Sequence, residues 1–178
     1  MPVKDNPNIV TAKEVGQYLK LTSEINVPVL AVTAKAAKTS EFSKIKDNGT
    51  VLVVEDEAAM RKMAGIMLAH MGYTVLAAKD GIDAVEVLRQ HKGEIRCVLC
   101  DLTMPGMDGW ETMAALRKFS PSVPVVLTSG YEREQVMAGC RTESPHAFLS
   151  KPFQLKDLGD AICLATAKKA EEISVRKQ

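Results

Sequence analysis

The stretch 97-CVLCDLTMPGMDGW-110 begins as a buried strand and then places a carboxylate where the hydrophobic segment ends. Val98 and Leu99 lie in a four-residue apolar run, and Asp101 follows that run directly. A charged carboxylate beside a hydrophobic core is costly unless another group compensates its charge. The rest of the chain must therefore supply a partner for Asp101.

The composition of the 178-residue chain is that of an ordinary globular protein. Apolar residues make up 46% and charged residues 25%, with a formal net charge of +1 that gives no indication of nucleic-acid binding. No run approaches the roughly 20 apolar residues that a membrane span requires. The N-terminus lacks the apolar core of a secretory signal. We therefore expect a cytoplasmic protein with no membrane span and no nucleic-acid partner.

Cys97 and Cys100 form a C-x-x-C pattern, which can indicate a zinc or redox site. Within a strand, however, positions three apart point to opposite faces, so the two thiols could not share a metal or a disulfide. We expect both cysteines to be small apolar strand residues.

Residues 51–170 alternate between short apolar runs and amphipathic patterns. The apolar runs predict five strands, at 51–54, 74–78, 97–100, 124–127 and 147–149. Apolar residues at helical spacing predict a helix after each strand, including a short one at about 132–140. Asp80 and Asp108 are candidate N-caps, and the helix after Asp80 has a predicted apolar face of Ile82, Val85 and Leu88. This alternation is typical of a parallel sheet covered by helices on both sides.

Polar side chains follow the predicted strands at the edge where such sheets carry their functional crevice. These residues are Glu55, Asp56, Asp101, Thr128, Ser129 and Lys151. Clustered carboxylates repel one another unless a cation joins them, and Mg²⁺ prefers oxygen ligands while keeping places for water or phosphate oxygens. The pattern therefore favours Asp101 as a nucleophile that forms an aspartyl phosphate, with Lys151 as a second source of positive charge.

Four segments resemble the motif regions of the receiver domain of two-component response regulators. They are VLVVEDE (51–57), VLCDLTMPGMDG (98–109), PVVLTSG (124–130) and FLSKPF (148–153). The resemblance spans about 51–170 and implies a flavodoxin-like (CheY-like) α/β fold, a doubly wound five-stranded parallel sheet of order 2-1-3-4-5. It implies that Asp101 accepts phosphate from a histidine kinase or a histidine phosphotransfer protein. The domain would then be a signalling switch that catalyses only its own phosphorylation and dephosphorylation.

The same resemblance implies a role for each of the other residues at this edge. Mg²⁺ would be held by Glu55, Asp56, Asp101 and the backbone carbonyl of Thr103, with Glu55 replacing the more usual Asp and reaching the metal through water. Either Thr128 or Ser129 could sense the phosphate, and the 22-residue spacing to Lys151 favours Ser129. Phe148, three residues before the lysine, falls at the aromatic switch position.

The resemblance further implies an output surface that a partner or a second copy would contact. We define it as about 132–165, which comprises the predicted fourth helix, the fifth strand and the fifth helix, and a homodimer could form through it. A pseudo-receiver that mediates only protein contacts or dimerisation is the main alternative function.

Residues 1–50 are predicted to be an N-terminal extension or linker, and 171–178 a C-terminal tail. The stretch VPVLAVTAKA (27–36) resembles the fourth-strand region of a receiver. It could be the remnant of a second receiver, the last strand of a kinase ATP-binding domain, or an unrelated packing arm. No DNA-binding pattern follows residue 170, so we expect either a single-domain regulator or the C-terminal receiver of a hybrid sensor kinase.

Overall fold

The computed structural model describes residues 48–131 and 144–175, with the side chains of the last helix described up to residue 167. The described strands are β1 Thr50–Val54, β2 Thr74–Ala78, β3 Ile95–Asp101, β4 Val125–Ser129 and β5 Ala147–Ser150. The described helices are α1 Ala58–His70, α2 Gly81–Gln90, α3 Gly109–Phe119 and α4 Leu155–Val175. The extension up to residue 47 and the predicted helix at about 132–140 lie outside the described residues.

The five strands form one parallel sheet in the order β2-β1-β3-β4-β5, which confirms the predicted fold class. Strand β1 pairs with β2 on one side and β3 on the other, and Val51 aligns with Val75 and Cys97. Such strands are buried on both faces, so they carry continuous apolar runs instead of an alternating pattern. None of the helices in these residues is long and apolar enough to cross a membrane.

Two hydrophobic clusters lie on opposite faces of the sheet, and alternate residues of each strand belong to different clusters. Leu52 and Val54 of β1 pack with α2 and α3, whereas Val51 and Val53 pack with α1 and α4. The two strand cysteines are likewise divided between the clusters. Burial raises the pKa of the Cys100 thiol, which keeps it a neutral core group. The prediction that Cys97 and Cys100 point to opposite faces of the sheet is confirmed.

The N-termini of α2 and α3 are held by side-chain caps, as predicted. The Asp80 carboxylate accepts a hydrogen bond from the Asp83 N–H at 2.8 Å. Asp108 and Glu111 form a reciprocal capping box, in which each side chain accepts a hydrogen bond from the other residue's backbone N–H. These caps fix where each chain segment turns from strand to helix.

The predicted apolar face of α2 is wrong at Ile82, whose surface is 73% exposed. The helix begins at Gly81, and its buried residues are Gly81, Ala84, Val87 and Leu88. At about 100° per residue, Ile82 lies on the far side of the helix from Ala84. The side chain of Ile82 therefore faces away from the core.

Several elements extend beyond their predicted ends. β3 includes Asp101 itself, because Asp101 pairs with Thr128 and the Leu102 N–H donates to the Thr128 carbonyl at 2.8 Å. The phosphoacceptor candidate is thus the last residue of the strand. At the other end of the domain, α4 continues to Val175, so the first five residues of the predicted tail are helical. The run 167-AKKAEE-172, which leads into that stretch, consists of residues that favour helix.

Candidate functional site

Three carboxylates meet at the carboxyl edge of the sheet. Glu55 and Asp56 follow β1, and Asp101 ends the neighbouring strand β3. One oxygen of each carboxylate lies within 4.8 Å of the other two. Glu55 and Asp101 are buried, whereas Asp56 is exposed. Three carboxylate oxygens, one of them open to solvent, are a donor set that fits Mg²⁺, which binds one or two carboxylates and keeps other positions for water or phosphate.

Lys151 supplies a positive charge to two of these carboxylates. Its Nζ atom lies 2.7 Å from Asp101 Oδ1 and 2.7 Å from Glu55 Oε2. The lysine follows β5 and its side chain crosses the end of β4 to reach the acids. The backbone beneath it is also held, because the Lys151 N–H donates to the Ser129 carbonyl at 2.7 Å. The structure therefore brings the predicted lysine to the predicted acids.

Burial and ion pairing oppose each other in this cluster. Burial raises the pKa of Glu55, and the hydrogen bond from Lys151 reverses only part of that effect. Burial alone would lower the pKa of Lys151, but hydrogen bonds to Asp101 and Glu55 raise it to a greater extent, so the net shift is upward. The Lys151 ammonium is consequently charged at neutral pH. This single positive charge is fewer than the three carboxylates gathered around it.

The two candidate hydroxyls lie on opposite faces of β4, because successive strand residues alternate. Thr128 shares a face with Asp101, and its Oγ1 donates to Asp101 Oδ1 at 3.4 Å. Ser129 lies on the other face, and its Oγ accepts a hydrogen bond from the Tyr131 N–H at 3.0 Å. Phe148 packs against the cluster on that second face. The role of Ser129 as phosphate sensor stays a prediction, as does the switch role of Phe148.

The loop after β3 passes very close to the strand. The Gly109 N–H donates to the Leu102 carbonyl at 2.9 Å. A Cβ at Gly109 would lie 2.5 Å from the Asp101 carbonyl oxygen, so only glycine fits this approach. Sequence analysis identified the cap at Asp108 but missed this contact. Thr103 is exposed on the same loop, and its carbonyl remains a predicted metal ligand.

Arg61 is a second residue that sequence analysis missed. Its Nη1 donates to the Glu55 carbonyl at 2.6 Å and to the Asp56 carbonyl at 3.1 Å. The available signal was the presence of a cation near the start of α1, where the helix dipole favours acidic residues.

Comparisons with known proteins agree with this geometry. Residues 51–163 match the family model of the response regulator receiver domain. The chain is 35% identical over 144 residues to the sensor kinase CckA of Brucella abortus (strain 2308), covering 80% of this chain and 15% of that kinase. The solved receiver domain of the hybrid histidine kinase CckA matches with a TM-score of 0.56 and 33% identity, covering 66% of this chain and 99% of that one. A receiver domain protein from Clostridium thermocellum, at 24% identity and a TM-score of 0.63, covers 68% of this chain and 97% of its own and supports the fold alone.

A parallel sheet of this order, with acids and a lysine gathered at its carboxyl edge, defines a receiver domain of two-component systems. The chain belongs to the response regulator receiver domain family and is related to the receivers of hybrid kinases. Receiver domains are signalling switches that bind Mg²⁺ at an acidic pocket and interact with histidine kinases or phosphotransfer proteins. The chain spans only 15% and 16% of the first two sensor kinases that it matches.

Proposed function

We propose that this receiver takes a phosphoryl group from the phosphohistidine of a histidine kinase or phosphotransfer protein onto Asp101. The observation that carries the proposal is the position of the Lys151 ammonium, 2.7 Å from both Asp101 and Glu55. Holding three charged groups together at a largely buried edge is costly. A pseudo-receiver that only presents a surface to a partner has no need of this arrangement.

Glu55, Asp56, Asp101 and the Thr103 carbonyl are the residues proposed to hold Mg²⁺. Glu55 and Asp101 offer buried oxygens, and the exposed Asp56 offers one that solvent reaches. When bound, the metal would neutralise the negative charge of the incoming phosphoryl oxygens. Lys151 contributes to the same neutralisation from the side of β5.

Asp101 Oδ2 is the proposed attacking atom. Asp101 Oδ1 accepts hydrogen bonds from Lys151 and Thr128, whereas Oδ2 accepts none from the residues that the structure describes. As the new oxygen–phosphorus bond forms, the phosphorus–nitrogen bond to the imidazole breaks and its electron pair stays on that nitrogen. The aspartyl phosphate carries about two negative charges where the carboxylate carried one, and the adjacent ammonium offsets the addition.

The phosphorylation signal is proposed to leave through β4. A new phosphoryl oxygen would attract a hydroxyl of Thr128 or Ser129, and Ser129 lies on the face of β4 that also carries Phe148. A rearrangement there would alter the output surface at 132–165, where a partner or a second copy binds. A bias of a few kcal/mol between two existing states is enough for such a switch.

The wider context is also part of the proposal. The matches to two sensor kinases cover 80% and 88% of the chain, which exceeds the share that follows residue 50. The similarity therefore extends into the N-terminal extension, which favours a receiver related to those of hybrid sensor kinases. The proposed location is the cytoplasm, and the receiver itself acts as a switch that catalyses only its own phosphorylation and dephosphorylation.

Phosphorylation of the isolated chain tests the assignment directly. Incubation with phosphoramidate or acetyl phosphate and Mg²⁺ should add the mass of one phosphoryl group, and Asp101→Asn should abolish the gain. Asp160→Asn is the matched control, because it removes an exposed carboxylate outside the site. No gain in the wild type would leave the pseudo-receiver as the better account, and a gain that survives in Asp101→Asn would exclude Asp101 as the acceptor.

A further inference from the structure

The turn between β1 and α1 is held in a different way from the next two strand-to-helix turns. Asp80 caps α2, and the capping box at Asp108 holds α3. The N-cap of α1 is Glu57, whose side chain makes no cap hydrogen bond with the described residues. This uncapped turn carries Glu55 and Asp56, two of the three clustered acids.

Arg61 holds this turn through its carbonyl groups, whereas a cap would act on the N–H groups of the first helical turn. The Arg61 N–H donates to the Glu57 carbonyl at 2.9 Å, which places the residue one turn into α1. From there Nη1 reaches the Glu55 carbonyl at 2.6 Å and the Asp56 carbonyl at 3.1 Å. The Glu55 N–H donates to the Ala78 carbonyl at 3.2 Å. The backbone of Glu55 is therefore held by β2 on one side and by α1 on the other.

This arrangement holds the turn at its carbonyl groups and not at the carboxylates of Glu55 and Asp56. An acid that caps a helix turns its carboxylate toward the backbone N–H groups of the first turn, so that oxygen is not free to bind a metal. Arg61 fixes the turn through the carbonyls of Glu55 and Asp56 and contacts neither residue's carboxylate in these two hydrogen bonds. Their carboxylates converge instead with that of Asp101, within 4.8 Å.

We propose that Arg61 is the positioning residue of the metal centre. It fixes the backbone of Glu55 and Asp56 so that their carboxylates meet Asp101, and it thereby sets the affinity of the site for Mg²⁺. The inference rests on the proposed function. In the structure, Arg61 contacts backbone oxygens of the turn, so its effect on phosphorylation passes through the metal.

The test is a Mg²⁺ titration of the full chain, followed by amide signals of the β1–α1 turn, with Trp110 fluorescence as a second reporter. Groups that orient metal ligands typically contribute 10–100-fold to affinity, so Arg61→Gln should weaken Mg²⁺ binding about tenfold. Lys62→Gln removes the same charge from the next residue, an exposed one, and should bind Mg²⁺ like the wild type. Equal losses in the two variants would show that bulk charge is responsible and would overturn the inference.

A conservative variant separates hydrogen bonding from charge. The ammonium of Arg61→Lys keeps the charge but is about one bond shorter than Nη1, so it should regain only part of the contacts and bind with intermediate affinity. Should Arg61→Gln fail to fold, the Mg²⁺ affinity of Arg61→Lys compared with that of the wild type still tests the positioning role. Wild-type affinity in Arg61→Lys would overturn the positioning role.

Phosphorylation measured against Mg²⁺ concentration distinguishes this inference from the proposed function. In Arg61→Gln, the Mg²⁺ concentration for half-maximal phosphorylation should rise about tenfold, while the maximal extent at saturating Mg²⁺ is retained. If the wild type is phosphorylated normally and the Mg²⁺ midpoint of Arg61→Gln equals that of the wild type, the role of Arg61 is refuted but the proposed function is not. Absence of phosphorylation in the wild type refutes the proposed function, and the direct Mg²⁺ titration then still tests Arg61.

Discussion

Replacing Lys151 by methionine removes the ammonium from the acidic edge and nearly preserves the volume of the side chain. Glu55 and Asp101 are then left as neighbouring buried carboxylates without their lysine partner. Without Mg²⁺ we expect the domain to remain folded but to lose stability, and its phosphorylation or the conformational readout to be impaired.

The size of the loss can be worked from the contacts. At an effective dielectric constant of about 20, unit charges 4 Å apart attract by about 4 kcal/mol, and both contacts of Lys151 are shorter, at 2.7 Å. Desolvation of the ammonium cancels much of this attraction. Breaking a fully buried pair costs about 3–5 kcal/mol, so a lysine side chain that is 19% exposed should contribute about 2–3 kcal/mol.

Urea unfolding in EDTA measures this loss, with Lys156→Met as the matched control. Lys156 pairs with Asp160 on the exposed surface of α4, so its replacement should change the free energy of unfolding very little. Adding Mg²⁺ should narrow the gap between Lys151→Met and the wild type, because the metal becomes the cation that both carboxylates share. Equal losses in the two variants, or a gap that Mg²⁺ leaves unchanged, would refute the electrostatic role of Lys151.

The pH dependence of the same gap has a defined sign. A carboxyl whose pKa is raised in the folded state binds its proton more tightly there than in the unfolded chain, so its unfavourable contribution exists at neutral pH and fades on acidification. Burial already raises the pKa of Glu55 in the wild type, and removal of Lys151 takes away the group that lowers it. The destabilisation of Lys151→Met should therefore diminish as the pH falls from neutrality.

Three further predictions concern the metal site, the switch and the loop. Because burial raises the pKa of Glu55, this ligand gains its proton at a higher pH than an ordinary glutamate does, so Mg²⁺ affinity in a calorimetric titration should fall as the pH is lowered from neutrality. A flat profile would contradict the placement of this ligand. Ser129→Ala should still be phosphorylated but show little change in the amide shifts of the output surface; shifts equal to those of the phosphorylated wild type would assign the coupling to Thr128 or refute the mechanism. Gly109→Ala should lower the free energy of unfolding by about 1–3 kcal/mol, because its Cβ would lie 2.5 Å from a backbone oxygen. Gly130→Ala is the control: a Cβ there has no described atom within 4 Å, so the free energy should change by less than about 0.5 kcal/mol in the same urea assay. Equal effects would contradict the steric argument.

The order of the elements and the acidic edge were predictable because each depends on local patterns. Short apolar runs identified the strands, and the side chains of Asp80 and Asp108 marked two helix starts. Parallel pairing then required the residues at strand ends to meet, so the cluster around Asp101 followed from the topology. The direct contact of Lys151 with Glu55 is less predictable, since it joins residues 96 positions apart and depends on how far a long side chain reaches across β4.

The features that the sequence did not predict correctly have a common cause: each depends on how a side chain is oriented in three dimensions. Sequence shows that Thr128 and Ser129 point to opposite faces of a strand, but only the pairing with Asp101 shows which hydroxyl lies beside the carboxylate. Ile82 fits a helical spacing, yet the rotation of α2 about its axis turns it outward. The contact of Arg61 with the turn likewise depends on where the first turn of α1 sits.

The position of Lys151 near the end of the sheet has a consequence for synthesis on the ribosome. The three clustered acids emerge before the lysine, because Glu55, Asp56 and Asp101 all precede β4 while Lys151 follows β5. In a nascent chain that has extended only to β4, the outer edge of β4 is unpaired, and the carboxylates of Glu55 and Asp101 do not yet have Lys151 as a partner. When β5 is added, it pairs with the open edge of β4, and Lys151, which directly follows β5, reaches the carboxylates. Under the proposed function, a fragment truncated before β5 would retain Asp101 but lack the ammonium that offsets the charge of a phosphoryl group, so we expect it to be a poor acceptor.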